Sequence, residues 1–553
     1  MTQPRLSPTA LSKRVGAAAR RTLFVGLVFS ATLLAGCQHL PKSLPFMESA
    51  ADKAAALTAD LPPPVPRVWP DARQDVLNQR ARGYGLVRMP EMQLYLDGLL
   101  ARIKKQAGVP EWPGSVQILA TAPLDAYATA AGNIYISQSW LASMESEDEV
   151  VALLSHEFGH IYLHYHQLEG AVQATDTAAS VTAFAVALAT KSAQAKGWTA
   201  VDSLTASYVA GRDLVSSAWG RSQESAADTF GMNISMKLGY SYEAGFKTFL
   251  ERMASWEEDS AKRQAEVAKA LLAQVQADAA QAIKAKNENP NSDVAKAMYE
   301  PFAQLNVALT TIFHEGSTGI SSLWRKSTAR HPDTVARMDS LAAAVDVMPP
   351  DVVPSGDAKT APWLKARAQK RTAQILSNYA ASTRAISNLE DPGALKDAQT
   401  GAAGATATHA FPLNVLYQAQ LASASRQSNL RNVDPGGALD RNIKVEADRA
   451  WLSYVERATQ LRQTGRGRDA EIVMDNGFSY FHDAADAWPQ AIAFYGETRG
   501  WETAKKLAAD CKRRFSSVAE ACDKAAASPA EKAEAKRQSQ VKAEQFVNRL
   551  IGK

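Results

Sequence analysis

The stretch LLSHEFGH, Leu153–His160 within EDEVVALLSHEFGHIYLHYHQ, decides how the rest of the chain is read. In a helix, His156 and His160 stand one turn apart on the same face, so two imidazole nitrogens can reach one metal ion. That spacing suits zinc. Glu157 between them is placed to take a proton from water attacking a peptide carbonyl. The apolar run Val150–Leu154 predicts that this helix is buried, which is the rigid support a metal site needs. Nine histidines are spread over 553 residues. At that density HExxH arises by chance in roughly one such chain in a hundred, so the pair needs a third ligand.

A site of this kind takes its third ligand from a histidine soon afterwards or from a glutamate on a later helix. The HExxHxxGxxH pattern fails, because Leu163 stands where its glycine would be. The later stretch RSQESAAD, Arg221–Asp228, offers Glu224, 64 residues beyond His160, with Asp228 one turn further on the same helical face. Glu224 completes a two-histidine, one-glutamate set and leaves a fourth position for water. Asp228 is placed to hold a ligand imidazole by its second nitrogen. His164, one turn past His160, reads as a supporting or packing residue, and His166 as a surface one. His314, His409 and His482 have no identifiable partners.

With these motifs in order, the chain resembles the zinc metallopeptidases of the HtpX and CAAX-prenyl-protease family. DAYATAAGNIYI (Asp125–Ile136) is similar to the family's NAFALPGGYIYV-like segment, FGMNISMKLGY (Phe230–Tyr240) to the helix and turn after the third ligand, and HPDTVAR (His331–Arg337) to its HPxxxxR motif. The resemblance covers residues 70–345. It implies a gluzincin-type fold with one zinc per chain, held by His156, His160 and Glu224, with Glu157 as general base and then acid. It also implies an edge strand that pairs with extended substrate through Gly132, Asn133, Ile134 and Tyr135. Arg337 then supports the site from outside the ligand set. His331 either stabilises the oxyanion, or occupies the open coordination position and silences the enzyme, or caps a helix beside Pro332.

Around this core the expected fold class is mainly α with a small β-sheet (α+β). Arg5, Lys13, Arg14, Arg20 and Arg21 precede the apolar run Thr22–Leu34, which reads as a signal peptide over 1–36. It closes on Leu34-Ala-Gly-Cys37, similar to the lipobox of bacterial lipoproteins, with Cys37 the lipidated residue. Gln38 is not the aspartate that retains such proteins in the inner membrane, so the resemblance points to a periplasmic protein on the outer membrane. No later apolar run approaches the roughly 20 residues that span a bilayer. The chain therefore resembles the lipid-anchored branch of the family that carries a C-terminal tetratricopeptide domain. Residues 37–70 read as a Pro/Ala-rich tether, 71–345 as the metallopeptidase domain with a helical insertion at about 254–326, 346–360 as a linker, and 361–553 as a helical region.

In that last region Tyr454, Leu461, Ala470 and Phe481 correspond to Trp488, Tyr495, Ala504 and Phe515 at an offset of 34 residues. This period is that of tetratricopeptide hairpins, although two visible units also fit an unrelated helical bundle. Cys511 and Cys522 either pair in an oxidising periplasm or remain free thiols. A net charge of +4, evenly spread, gives no reason to expect nucleic acid. The function expected is zinc-dependent cleavage of protein substrates in envelope quality control. The rival is a chaperone or assembly scaffold for outer-membrane proteins that acts through the helical C-terminal region.

Overall fold

The structure, a computed structural model, describes residues 49–120, 124–166, 168, 221–259, 334–426, 434–532 and 534. The signal peptide with Cys37, nearly all of the insertion, His314 and His331 lie outside the described residues. The observed class is mostly helical with one small sheet, as expected. No helix among the described residues is long and apolar enough to cross a membrane.

The N-terminal part begins with helices α1 (Ala50–Thr58), α2 (Ala72–Arg80) and α3 (Pro90–Gln106). Strands β1 (Val116–Leu119), β2 (Ala126–Ala128) and β3 (Ile134–Ser137) form a sheet in the order β1-β3-β2. β3 pairs in parallel with β1 and antiparallel with β2. Helix α4 (Gln138–Ser143) leads into α5 (Glu147–Leu163), the helix of the HEFGH stretch, and α6 (Arg221–Lys237) packs against it.

Ser146 caps α5 by accepting from the Glu149 amide at 3.1 Å. Every residue from Glu147 to Tyr162 is buried, because the helix is apolar on nearly all sides and has protein around it. Its first-turn carboxylates sit where helix amides favour negative charge, and each grips another element. Glu147 accepts from Tyr240 at 2.5 Å and also from Tyr95, Glu149 pairs with Arg252 at 2.9 Å, and Asp148 accepts the amides of Ser241 (3.1 Å) and Lys359 (2.7 Å).

Beyond α7 (Thr334–Asp346) the chain continues through α8 (Thr360–Arg367), α9 (Lys370–Ser387), α10 (Ala394–Gly401), α11 (Ala410–Arg426) and α12 (Gly437–Ile443). Two helical hairpins follow, α13 (Trp451–Gln463) with α14 (Gly467–Tyr480) and α15 (Trp488–Arg499) with α16 (Trp501–Arg514), before α17 (Ala519–Ala526). Tyr454, Leu461 and Ala470 fall in the first hairpin, and Trp488, Tyr495 and Ala504 in the second. All six are buried in a core completed by Phe478 and Phe481. Cys511 and Cys522, both fully buried, are joined as a disulfide.

Two expectations about connections are corrected. Residues 346–360 are not a free linker, because Asp148 takes the Lys359 amide and α8 docks beyond it. Trp363 is fully buried with its indole N–H on the Met144 carbonyl at 2.8 Å, and one apolar core runs from the N-terminal part to α12. Nor is all of 37–70 a tether. From Ser49 the segment folds as α1, with a capping box between Ser49 and Asp52, and crosses the back of α6 and α5. Asn233 donates to the carbonyls of Leu57 (2.8 Å) and Ala59 (2.9 Å), and Tyr162 donates to that of Pro62 (2.8 Å). Arg67 caps the last turn of α5 through the Ile161 carbonyl at 2.7 Å, with its guanidinium 3.8 Å from the Trp112 ring.

Candidate metal centre

Helix α6 runs opposite to α5 and comes unusually close to it. The closeness rests on two glycines. A Cβ on Gly159 would stand 3.1 Å from Phe230 and 3.2 Å from Ala227, and one on Gly231 would stand 2.8 Å from the His156 amide nitrogen. With side chains absent at both points, α6 can present Glu224 to both histidines.

His156 Nε2 lies 3.5 Å from one Glu224 carboxylate oxygen, and His160 Nε2 lies 3.4 Å from the other. These separations are long for N–H···O hydrogen bonds. They match the roughly 3.3–3.4 Å between neighbouring ligand atoms that tetrahedral zinc imposes at bond lengths of about 2.05 Å. One ligand atom from each of the three residues falls within 4.8 Å of the others, and all three residues are buried. Two imidazoles and one carboxylate are the donor set that zinc takes in catalytic sites, with a position left for water or substrate. The residues present therefore fit the metal.

Behind this set, His156 Nδ1 lies 2.9 Å from Asp228 Oδ1. With Asp228 accepting from Nδ1, Nε2 carries the lone pair and faces Glu224 and His160. Arg337, on α7, donates to both Asp228 oxygens at 2.7 Å and lies 2.8 Å from Glu224 Oε2. Burial alone would raise the Asp228 carboxyl; the guanidinium outweighs it and holds Asp228 well below the usual carboxylate range. Burial likewise works against the Arg337 charge, and Asp228 and Glu224 together drive its pKa above the usual arginine value.

Glu157 is 3% exposed, and among the described residues its carboxylate makes no hydrogen bond or ion pair. His164 caps the C-terminus of α5 with its ring 5.9 Å from that of His160, and burial, with the His160 charge, pushes its pKa down to about 4. Among the described residues it does not join the three-residue set. His166 is exposed. His409 is buried far along the chain, with its ring 5.9 Å from that of Tyr379, and His482 is exposed beside Arg514.

The expected substrate strand is corrected. Ile134 and Tyr135 belong to β3, the central strand, whose backbone pairs on both sides; Gly132, Asn133, Ile134 and Tyr135 are all buried. Asn133 also anchors α2 through the Ala72 carbonyl at 3.1 Å and Asp75 at 2.8 Å, and the Tyr135 hydroxyl donates to Asp75 at 2.8 Å. The other side of β1 carries a bridge between Leu86 and Leu119. Among the described residues the open edge is β2, which packs against α5.

Sequence reasoning missed Lys53, which reaches this centre from α1. Its ammonium donates to Ser225 at 2.9 Å and Ser340 at 3.1 Å. The Ser49–Asp52 pair, three residues apart, was the available sign that a helix starts there.

Compared with known proteins, residues 90–345 match Peptidase family M48, while no curated protein matches the chain. The part of the chain that brings His156, His160 and Glu224 together lies within the residues similar to this family, and the activity this supports is that of a metallopeptidase.

Proposed function

We propose that the protein is a zinc-dependent endopeptidase, lipid-anchored through Cys37 in the bacterial periplasm, that cleaves envelope proteins as part of their quality control. The observation that carries the enzymatic reading is the buried triad of His156, His160 and Glu224, with donors 3.4 and 3.5 Å apart and Asp228 and Arg337 behind it. The location rests on the signal segment and on Leu34-Ala-Gly-Cys37, which point to the outer membrane. The disulfide between Cys511 and Cys522 suits an oxidising compartment.

His156, His160 and Glu224 would hold one zinc, which when bound supplies Lewis acidity toward the scissile carbonyl and the attacking water. Glu157 accepts the proton of that water at its carboxylate and passes it to the leaving amine. Asp228 keeps the His156 ring oriented, and Arg337 keeps Asp228 ionised without solvent and pairs with Glu224. An extended substrate aligns by adding to the open edge of β2. His331 lies six residues before Arg337 in the sequence. It is the residue we assign to the oxyanion or, at rest, to the open coordination position. A tetratricopeptide-like reading of the two hairpins makes α13–α16 a surface for protein partners.

Glu157→Gln in the full mature chain tests the reading. It should keep the fold and the zinc while casein cleavage falls by about 10²–10⁴-fold. Cleavage at the parent rate would overturn it.

A further inference from the structure

Lys53 is 3% exposed, and its ammonium donates to hydroxyls on two different helices. Ser225 follows the candidate ligand Glu224 on α6, and Ser340 lies one turn after Arg337 on α7. Arg337 in turn lies 2.8 Å from Glu224 and donates to Asp228. One buried ammonium therefore spans both helices at the level of the triad. Burying an ammonium is costly unless its donors are met, so the two hydroxyls are held close to one point. Helix α1, which carries Lys53, is itself fixed by its capping box, by buried Leu57, and by Asn233 on the carbonyls of Leu57 and Ala59.

We infer that Lys53 is a positioning residue of the metal centre, which sets the spacing of Glu224 and Arg337, and through it the zinc affinity, from a segment N-terminal to the metallopeptidase domain. This rests on the reading of the centre as a zinc site. Since α1 begins 13 residues after Cys37, the geometry that fixes the third ligand is joined through a short stretch of chain to the segment bearing the proposed lipid anchor.

The test uses the full mature chain, with zinc titrated against a chromophoric chelator and kcat and KM measured on casein. Lys53→Met removes the charge and keeps most of the volume. Zinc Kd should rise about tenfold, as for other groups that support ligands from outside, and kcat should fall with KM unchanged. Lys237→Met removes another contact to the same helix, 3.0 Å from the Ala59 carbonyl, at the exposed far end of α6. It should lower the melting temperature without moving zinc affinity. If Lys53→Met does not fold, Ser225→Ala and Ser340→Ala carry the test: each should weaken zinc binding several-fold, and together they should be less than additive because one ammonium holds both.

Variants that melt earlier yet bind zinc and turn over like the parent would overturn the inference and leave the peptidase reading standing. A parent that binds no stoichiometric zinc would overturn both.

Discussion

Gly231→Ala probes the contact that brings the two halves of the centre together. The added Cβ would meet the His156 amide nitrogen at 2.8 Å, the Ser155 carbonyl carbon at 3.0 Å and the Phe246 ring at 2.7 Å, whereas ordinary contact begins near 3.4 Å. The phenyl ring can turn, but the α5 backbone cannot, so α6 must withdraw by about 0.6 Å, a change in core packing that typically costs about 1–3 kcal/mol. Carried to Glu224, two turns away, that withdrawal widens separations now at 3.4 and 3.5 Å to about 4 Å. Two atoms about 4 Å apart reach a zinc at about 2.05 Å only from nearly opposite sides, which tetrahedral coordination forbids. Zinc affinity and kcat/KM should each fall by about 100-fold, the scale for reacting groups misplaced by an ångström. Chelator competition and casein hydrolysis, read well below the melting temperature, give both numbers. A folded Gly231→Ala protein with parental zinc affinity and turnover would refute the idea that this helix contact sets the ligand spacing.

Other perturbations have equally definite outcomes. Arg337→Met leaves Glu224 and Asp228 buried without their cation and should cost about 3–5 kcal/mol at pH 7. In the parent, Asp228 is held below its unfolded value, so its contribution is complete above the ordinary aspartate pKa near 3.9 and is lost as pH falls through the lower folded value. In Arg337→Met, burial raises that pKa with only the His156 contact left to oppose it, so the urea midpoint of metal-free protein should increase from pH 7 to pH 5. A midpoint that falls over that range contradicts the assignment. Ala126→Pro removes an amide that, by the alternation of an antiparallel pair, points away from β3, on the side unpaired among the described residues. One lost substrate hydrogen bond should raise KM by up to about tenfold with kcat little changed, and an unaltered KM would place the substrate elsewhere.

What could be read from the sequence follows from how local each cause is. Helix α5 was legible because its apolar run and its histidine spacing lie within one short segment. Glu224 and Asp228 were legible because a single turn puts them on one face. The resemblance marked Gly132–Tyr135 as an edge strand, but the local sequence carries no information about a strand's neighbours. Its central place arises because β1 returns in parallel from one side while β2 pairs from the other. The Pro-rich stretch read as a tether because its anchors are non-local: Arg67 needs Trp112 and the end of α5, and Lys53 needs serines 172 and 287 residues away. The break at 346–360 looked free for the same reason, since Asp148 and Met144 lie far before it in the chain.

The most direct test of the central claim is the metal content of the purified mature chain beside that of Glu224→Ala, by elemental analysis after exhaustive dialysis. One zinc per chain in the parent, and little or none in the variant with casein cleavage abolished, is the expected result, since removing one of three ligands leaves only the histidine pair. A parent without zinc, or a Glu224→Ala protein that keeps its zinc and cleaves casein, would contradict it.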